Sequence, residues 1–276
     1  MKDRTIIGVD LGGTNMRAGR IENGILVEVS AKPVPKSDDA NVVLKLLIDT
    51  ISSVLTDEVS AIGIGIPGIL DKNSGIIFDI VNIPSWKEIQ LKKELNEQFG
   101  LPIYLDNDAN CFARGENIFG KAKNVENVVG LTLGTGMGAG VIINGKLHSG
   151  LMCGAGELGE LPYLNANYEK YCSGQFFRDI KNTTGEEEFK KAERGDLNAI
   201  ELFEIFASHL AKAIEMVILT YAPDKIVMGG SVSKSKKYFE KLVLQYVAKN
   251  NFRNVPVIEY SELDNSAIFG AASLCF

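Results

Sequence analysis

Histidine is nearly absent from the 276-residue chain: His148 and His209 are the only two, so a histidine-based triad or a multi-histidine metal site has almost no material. Cysteine is sparse as well. Cys111, Cys153, Cys172 and Cys275 are widely and unequally spaced with no CxxC pair, which reads as small buried hydrophobes in a reducing compartment rather than a metal or redox set. No apolar run approaches the roughly 18 residues of a membrane span, and the opening MKDRTIIGVD has charges but no signal-peptide core. A cytoplasmic protein with no membrane partner is expected. Positive charge is outweighed, with 29 Lys and Arg against 35 Asp and Glu for a net charge of -6. Nucleic acid, whose phosphates call for clustered cations, is not an expected partner. The hydrophobic fraction of 45% and the charged fraction of 23% exclude disordered and fibrous classes, and a chain of this length has a sizeable core to bury.

Glycine is plentiful, at 28 residues, and its placement is informative. The segment IIGVDLGGTNMRAGRIENGIL at 6–26 is echoed by VVGLTLGTGMGAGVIINGKL at 128–147, with an offset of 122 that becomes 121 after a single gap. Each copy reads as a strand, a glycine turn, a second strand and an Asn-Gly turn, at Asn23-Gly24 or Asn144-Gly145, so each predicts an antiparallel meander. Two further echoes follow in the same order. AIGIGIPG at 61–68 resembles DKIVMGGS at 224–231, and LPIYLDNDAN at 101–110 resembles VPVIEYSELDN at 255–265, each of the last pair a strand that opens onto a helix. Three matched elements in one order argue for duplication.

Helical patterns lie between these strands. Residues 41–55 place Val43, Leu47, Ile51, Val54 and Leu55 on one face, with Asp38, Asp39 or Asn41 as N-cap. Residues 196–222 carry Leu197, Ile200, Phe203, Phe206, Leu210, Ile214, Val217, Ile218 and Tyr221 at helical spacing, ended by Pro223; His209, beside that stripe, reads as a packed core-edge residue. Residues 234–250 predict a third, Lys-rich amphipathic helix. Strands, then helix, strand, helix and strand, occurring twice, predict a two-lobed α/β architecture around a cleft.

The turn from Asp10 through Gly12, Gly13, Thr14 and Asn15 can present backbone amides and a hydroxyl to an anion, and Gly134, Thr135, Gly136 and Gly138 can do the same from the second copy. Neither matches GxxxxGK[ST] or opens a dinucleotide-binding βαβ unit. Two related turns in duplicated lobes suit a grip on the β- and γ-phosphates of a phosphoryl donor. Asp10 stands where the second copy has Thr132, so it alone offers a carboxylate to Mg²⁺, directly or through water.

Taken together, LGGTN at 11–15, GIPG at 65–68, NDAN at 107–110, LGTGMGAGV at 133–141, GELG at 156–159 and MGGSV at 228–232 make the chain resemble the ROK sugar kinases of the actin, hexokinase and Hsp70-like superfamily, from about residue 5 to 272. The resemblance implies a duplicated ribonuclease H-like (actin-like ATPase) fold. Its expected lobes are 1–108 with a C-terminal helix at about 263–276, carrying the first phosphate turn and a sugar loop, and 109–262, carrying the second phosphate turn and the adenosine site. It also implies ATP and Mg²⁺ as cofactors, a small-molecule sugar as partner and a homodimer.

By that resemblance Asp108 is the catalytic base. Alternation along the strand sends Asp106 to the same side, so the residues alone leave Asp106 as a competitor and only the motif chooses Asp108. Asn107, Gly68 and Glu157 match sugar-binding positions, Asn82 lies in a loop that reaches the sugar, and Gly229, Gly230 and Ser231 match an adenosine-contacting turn. Trp86 reads as core packing or a loop anchor rather than a sugar platform. After GELG the pattern departs. Glu160 occupies the position of a family histidine, the zinc-binding cysteine knuckle is missing, and the match resumes at Glu169, which aligns with a sugar-binding glutamate. No structural zinc is expected, since one remaining cysteine cannot make a tetrahedral site. The expected reaction is phosphorylation of the 6-hydroxyl of a glucose-type hexose, with fructose, allose and N-acetylmannosamine as alternatives and a non-catalytic sugar-binding protein or regulator as the alternative class.

Overall fold

A computed structural model of the chain describes residues 4–78, 80 and 83–276. It falls into two compact units, one of Met1–Lys123, Leu147–Ala155 and Leu263–Phe276 and one of Asn124–Lys146 and Gly156–Glu262. In the first unit the strands are β1 (Thr5–Leu11), β2 (Asn15–Glu22), β3 (Ile25–Pro33), β4 (Val59–Ile66), the short β5 (Ile69–Asp71), β6 (Ile76–Phe78) and β7 (Glu88–Ile89), and β8 (Ile103–Asn107). Its helices are α1 (Ala40–Ser52), α2 (Leu91–Phe99) and α3 (Asp108–Phe119). The second unit continues with β9 (Val128–Leu133), β10 (Met137–Ile143), β11 (Lys146–Leu147) at the boundary, the hairpin β12 (Pro162–Tyr163) and β13 (Ala166–Asn167), then α4 (Tyr168–Cys172), α5 (Gly174–Lys181), α6 (Gly185–Glu193) and α7 (Leu197–Tyr221). It closes with β14 (Lys225–Gly229), α8 (Glu240–Ala248) and β15 (Val257–Tyr260), after which α9 (Ser266–Ser273) returns to the first unit. The helix α3, which the motif reading gave to the second lobe, thus packs in the first unit.

The two main sheets have the same strand order, β3-β2-β1-β4-β8 and β11-β10-β9-β14-β15. In both, the first two strands pair antiparallel and the later two add parallel. The correspondence extends to single residues. Gly8 lies opposite Gly19 in one sheet and Gly130 opposite Gly140 in the other. The single gap between the two sequence copies falls inside the glycine turn: Leu11 pairs with Met16 across four residues, whereas Leu133 pairs with Met137 across three. Both Asn-Gly turns take positive φ at both positions, 51° and 87° at Asn23-Gly24 and 51° and 72° at Asn144-Gly145, the backbone that matches strand twist in a two-residue hairpin.

Each unit has its own core. Val43, Leu47 and Ile51 of α1 pack with Ile7, Val9, Ile62 and Ile64 of the first sheet, and the Asp39 side chain caps α1 by accepting from the Asn41 amide. In the second unit Phe203, Phe206, Leu210, Ile214 and Val217 of α7 are buried against Val129, Leu131 and Ile226. Leu197, at the exposed start of α7 and capped by Asp196, stands outside the stripe at 78% exposure. The helix expected over 234–250 divides into a 3₁₀ turn, Val232–Tyr238, and α8. Val232 and Ser235, buried three residues apart, follow the 3₁₀ repeat, and the α-helical stripe begins only with Phe239, Val243 and Val247. Among the described residues no helix is long and apolar enough to cross a membrane.

Helices α3 and α9 cross at backbone contact. A Cβ on Gly270 would stand 1.6 Å from the Cys111 carbonyl oxygen, and one on Gly115 would stand 2.1 Å from that of Ser266. Neither helix can yield without moving the sheet beneath it. Gly270→Ala is therefore expected to lower unfolding stability by ~3 kcal/mol, the upper part of the overpacking range. A urea midpoint equal to that of the unaltered protein would contradict the crossing.

Candidate active site

In the first unit the parallel strands align their chemistry in one row. Asp10 of β1 lies beside Gly65 of β4, and Gly65 beside Asp106 of β8, all at the carboxyl ends of the strands, where open α/β sheets place ligands. Gly68, with φ of 96°, turns the chain just after β4. The corresponding row in the second unit pairs Thr132 of β9 with Gly229 of β14.

The carboxyl end of β8 distinguishes its two aspartates. Asp106 has no exposed surface. Its Oδ2 takes the Lys72 ammonium at 2.6 Å and the Ser149 hydroxyl at 3.3 Å, and its Oδ1 accepts from the Asn107 amide at 2.8 Å and Asn110 Nδ2 at 2.9 Å. Every contact is internal to the unit, and a carboxylate so occupied is a strut. Asn107, itself buried, caps α3 through Oδ1, which accepts from the Ala109 and Asn110 amides. The cap is thus Asn107 and not Asp108. Asp108 is the first helical residue, half-buried, with Oδ1 at 2.8 Å from the Ala109 amide, where the helix dipole favours a negative charge. Beneath it lies Cys111, whose thiol is pushed well up by burial and then by the charges of Asp106, Asp108 and Asp10.

Asp10 faces Arg17 across the β1–β2 pair, with Oδ2 2.5 Å from the guanidinium, and Arg17 also donates to Asn265 Oδ1 at 3.2 Å. Among the described residues no hydrogen bond engages Oδ1 of Asp10. The turn that follows is closed by the Gly12 amide on the Asn15 carbonyl at 2.9 Å and leaves Thr14 and Asn15 exposed.

In the second unit the shorter turn is closed by the Gly134 amide on the Gly136 carbonyl at 2.9 Å. A Cβ on Gly134 would meet nothing within 4 Å, so space for a ligand is open there. Gly230, with φ of 93°, packs against the Leu133 backbone immediately before that turn, and Gly229 pairs with Thr132 of β9.

The segment bearing the three glutamates is tied down by rings. Tyr163 stacks on Tyr168 at 4.4 Å, meets Tyr171 edge-on at 5.4 Å, and its hydroxyl lies 3.1 Å from His209 Nδ1 on α7. Burial lowers the His209 pKa, which keeps the imidazole neutral in this cluster. Cys172 is fully buried below, its thiol pushed up by burial, and among the described residues no group of three or more His, Cys, Asp or Glu is placed to hold a metal. Glu160 is exposed and accepts from Asn167 Nδ2 at 3.2 Å. The Glu157 carboxyl is raised by desolvation, then by the like charges of Glu160 and Glu169. Glu169 is turned onto the second glycine turn, accepting from the Met137 amide at 3.1 Å and from Gln175 Nε2 at 2.6 Å. Trp86 is buried and donates to the Ala40 carbonyl, a loop anchor. Asn82 lies outside the described residues.

Lys72, Arg17 and Ser149 were not singled out by the sequence. Lys72 sits in the polar turn Asp71–Gly75, where a lysine carries no signal of a buried partner 34 residues away.

The two sheets of one order, with glycine turns at corresponding strand ends, define the mixed α/β actin-like ATPase fold. A ROK family glucokinase from Streptomyces griseus, solved in complex with glucose and AMPPNP, superposes with a TM-score of 0.86 at 24% identity over 98% of both chains. The ROK family model matches residues 6–276, and the chain belongs to the ROK family. A glucokinase from Thermotoga maritima is 28% identical over 305 residues, 98% of this chain and 96% of its own. An N-acetyl-D-glucosamine kinase from Haemophilus influenzae is also 28% identical, over 97% of this chain and 98% of its own.

Lys72→Met would strand the buried Asp106 charge. Because the Lys72 side chain is 43% exposed, the expected loss is ~1–3 kcal/mol, below that of a fully buried pair. Adding Asp106→Asn should recover at least half of it in urea unfolding. A double variant as unstable as the sum of the singles would refute the pairing.

Proposed function

We propose that the chain transfers the γ-phosphoryl group of ATP to a sugar hydroxyl, the 6-hydroxyl of a glucose-type hexose, in the cytoplasm. The chain is a phosphotransferase of the ROK sugar-kinase type. The observation that carries the reading is the placement of Asp108, the half-buried first residue of α3 directly after the carboxyl end of β8, where the helix dipole favours a negative charge.

Asp108 would orient the sugar hydroxyl and accept its proton. The phosphoryl transition state is loose, so the proton moves late and a carboxylate is a strong enough base. Gly68, Asn107 through Nδ2, Glu157 and Glu160 would bind the sugar hydroxyls, for which amides and carboxylates are suited because each exchanges several hydrogen bonds with a polyol. Asn82 belongs with them by its motif. The turns at Gly12–Asn15 and Gly134–Gly138 would hold phosphates by backbone amides, and Gly229, Gly230 and Ser231 the adenosine. Asp10 would hold Mg²⁺ through water; the ion, when bound, neutralises charge on the phosphate oxygens.

ADP release with a panel of glucose, fructose, allose, mannose, N-acetylglucosamine and N-acetylmannosamine tests the reading. Glucose should give the highest kcat/KM, and Asp108→Asn should lower kcat by roughly 10²–10⁴-fold while calorimetric sugar affinity is retained. Turnover of no sugar would defeat the kinase reading, sugar binding without turnover would mark a non-catalytic member, and an active Asp108→Asn would defeat the base assignment.

A further inference from the structure

Glu160 is presented by a hairpin too small to hold itself. Its exposed carboxylate accepts from Asn167 Nδ2 of β13 at 3.2 Å, while Oδ1 of the same amide caps α4 by accepting from the Lys170 amide at 2.9 Å. The direction of Glu160 therefore follows the hairpin. β12 and β13 pair through two residues each, Pro162 with Asn167 and Tyr163 with Ala166, and a two-stranded ribbon alone is marginally stable at best in water. Leu161, just before the hairpin, is exposed, and Leu164 in its turn is 69% exposed, so neither supplies a core beneath it.

What fixes the hairpin comes from outside it. The Tyr168 amide donates to the Leu161 carbonyl at 3.1 Å, and the Tyr171 hydroxyl donates to Asn165 Oδ1. Both bonds tie it to α4, a helix of only five residues. The tie to the core is Tyr163. Its ring lies on Tyr168 with 14° between the planes, and its hydroxyl reaches His209 Nδ1 at 3.1 Å. Among the described residues this is the hairpin's one hydrogen bond to α7. His209 is itself fixed by the 25-residue α7, whose neighbouring turns bury Phe206 and Ala213, and by the rings of Tyr171 at 4.8 Å and Phe176 at 5.7 Å. A neutral imidazole makes one bond with the hydroxyl whichever of the two donates. The Glu157 carboxyl, raised first by desolvation and then by the charge of Glu160, shows that the two carboxyls lie near enough to serve one ligand.

We propose that Tyr163 and His209 are positioning residues that hold Glu160 for the sugar, and that they act on sugar affinity and not on nucleotide affinity. The inference rests on the reading of Glu160 as a sugar contact. Removing the Tyr163 hydroxyl leaves its ring on Tyr168 and leaves α4 against α7, so the loss is confined to the hairpin.

Calorimetry on the full chain tests this, with the sugar of the panel that the unaltered protein binds most tightly and, separately, with AMPPNP and Mg²⁺. Tyr163→Phe should weaken the sugar about three- to tenfold, the range for one neutral hydrogen bond, and leave AMPPNP within about twofold. His209→Leu should do the same, and the two changes together should weaken it no further than either alone. His209→Asn, whose amide stands where Nδ1 does, should recover most of the loss. Tyr163→Phe added to Glu160→Ala should be no weaker than Glu160→Ala. Hydrogen exchange supplies a readout without ligand: the Tyr168 amide should exchange faster in Tyr163→Phe, with the amides of α7 from Phe203 to Val217 unchanged. Equal loss of sugar and AMPPNP affinity would overturn the proposal in favour of general loosening, and a further loss on top of Glu160→Ala would overturn the route through Glu160. If Glu160→Ala binds sugar as the unaltered protein does, the reading of Glu160 fails and this inference fails with it; if Glu160→Ala is weakened and Tyr163→Phe is not, only this inference fails.

Discussion

A carboxylate with no exposed surface, Asp106, joins the pieces of chain that surround Asp108. Lys72 comes to it from the turn after β5, Ser149 from the return segment 147–155, and Asn107 and Asn110 from the start of α3. A buried charge is stabilising only while its partners stay in place, because an uncompensated one costs several kcal/mol. That penalty holds the loop, the return segment and the helix start to a single arrangement. The orientation of Asp108, one residue beyond the cap at Asn107, follows from it. The fully buried Asp106 is surrounded by donors, and the half-buried Asp108, two residues further on, stands at the N-terminus of α3.

The two copies of the ancestral unit have diverged in ways that suit different tasks. The first turn has four residues and is preceded by Asp10, balanced by Arg17 directly across the strand pair. The second has three, is preceded by Thr132, and is backed by Glu169, Ser173 and Gly174. One copy thus offers a carboxylate beside its amides and the other presents its amides with the carboxylate drawn behind them.

Much of this was legible in the residues. The duplication, both Asn-Gly turns, a cap for α1 among Asp38, Asp39 and Asn41 and the strand that opens onto α3 are local features, each carried by neighbouring residues with strong conformational preferences. The single gap between copies was legible too, and the strand register places it in the glycine turn. The contacts that organise the site were not legible. Lys72 with Asp106 spans 34 residues, Ser149 with Asp106 spans 43, and Glu169 with Met137 spans 32, and none is announced by a pattern near either partner. Motif matching assigned Glu169 by alignment, whereas its hydrogen bonds are set by how α4 packs through Tyr163, Tyr168, Tyr171 and His209. The division of 232–248 into a 3₁₀ turn and α8 was missed for a related reason, because a run of lysines conceals the three-residue spacing of Val232 and Ser235.

The chemistry proposed at Asp108 has one direct test. Incubating the protein with glucose and ATP labelled with ¹⁸O in its γ-phosphoryl group, then resolving the products by mass spectrometry, shows where that group goes. The account predicts labelled hexose 6-phosphate in a one-to-one ratio with ADP. Label found only in inorganic phosphate, with no phosphorylated sugar, would contradict it.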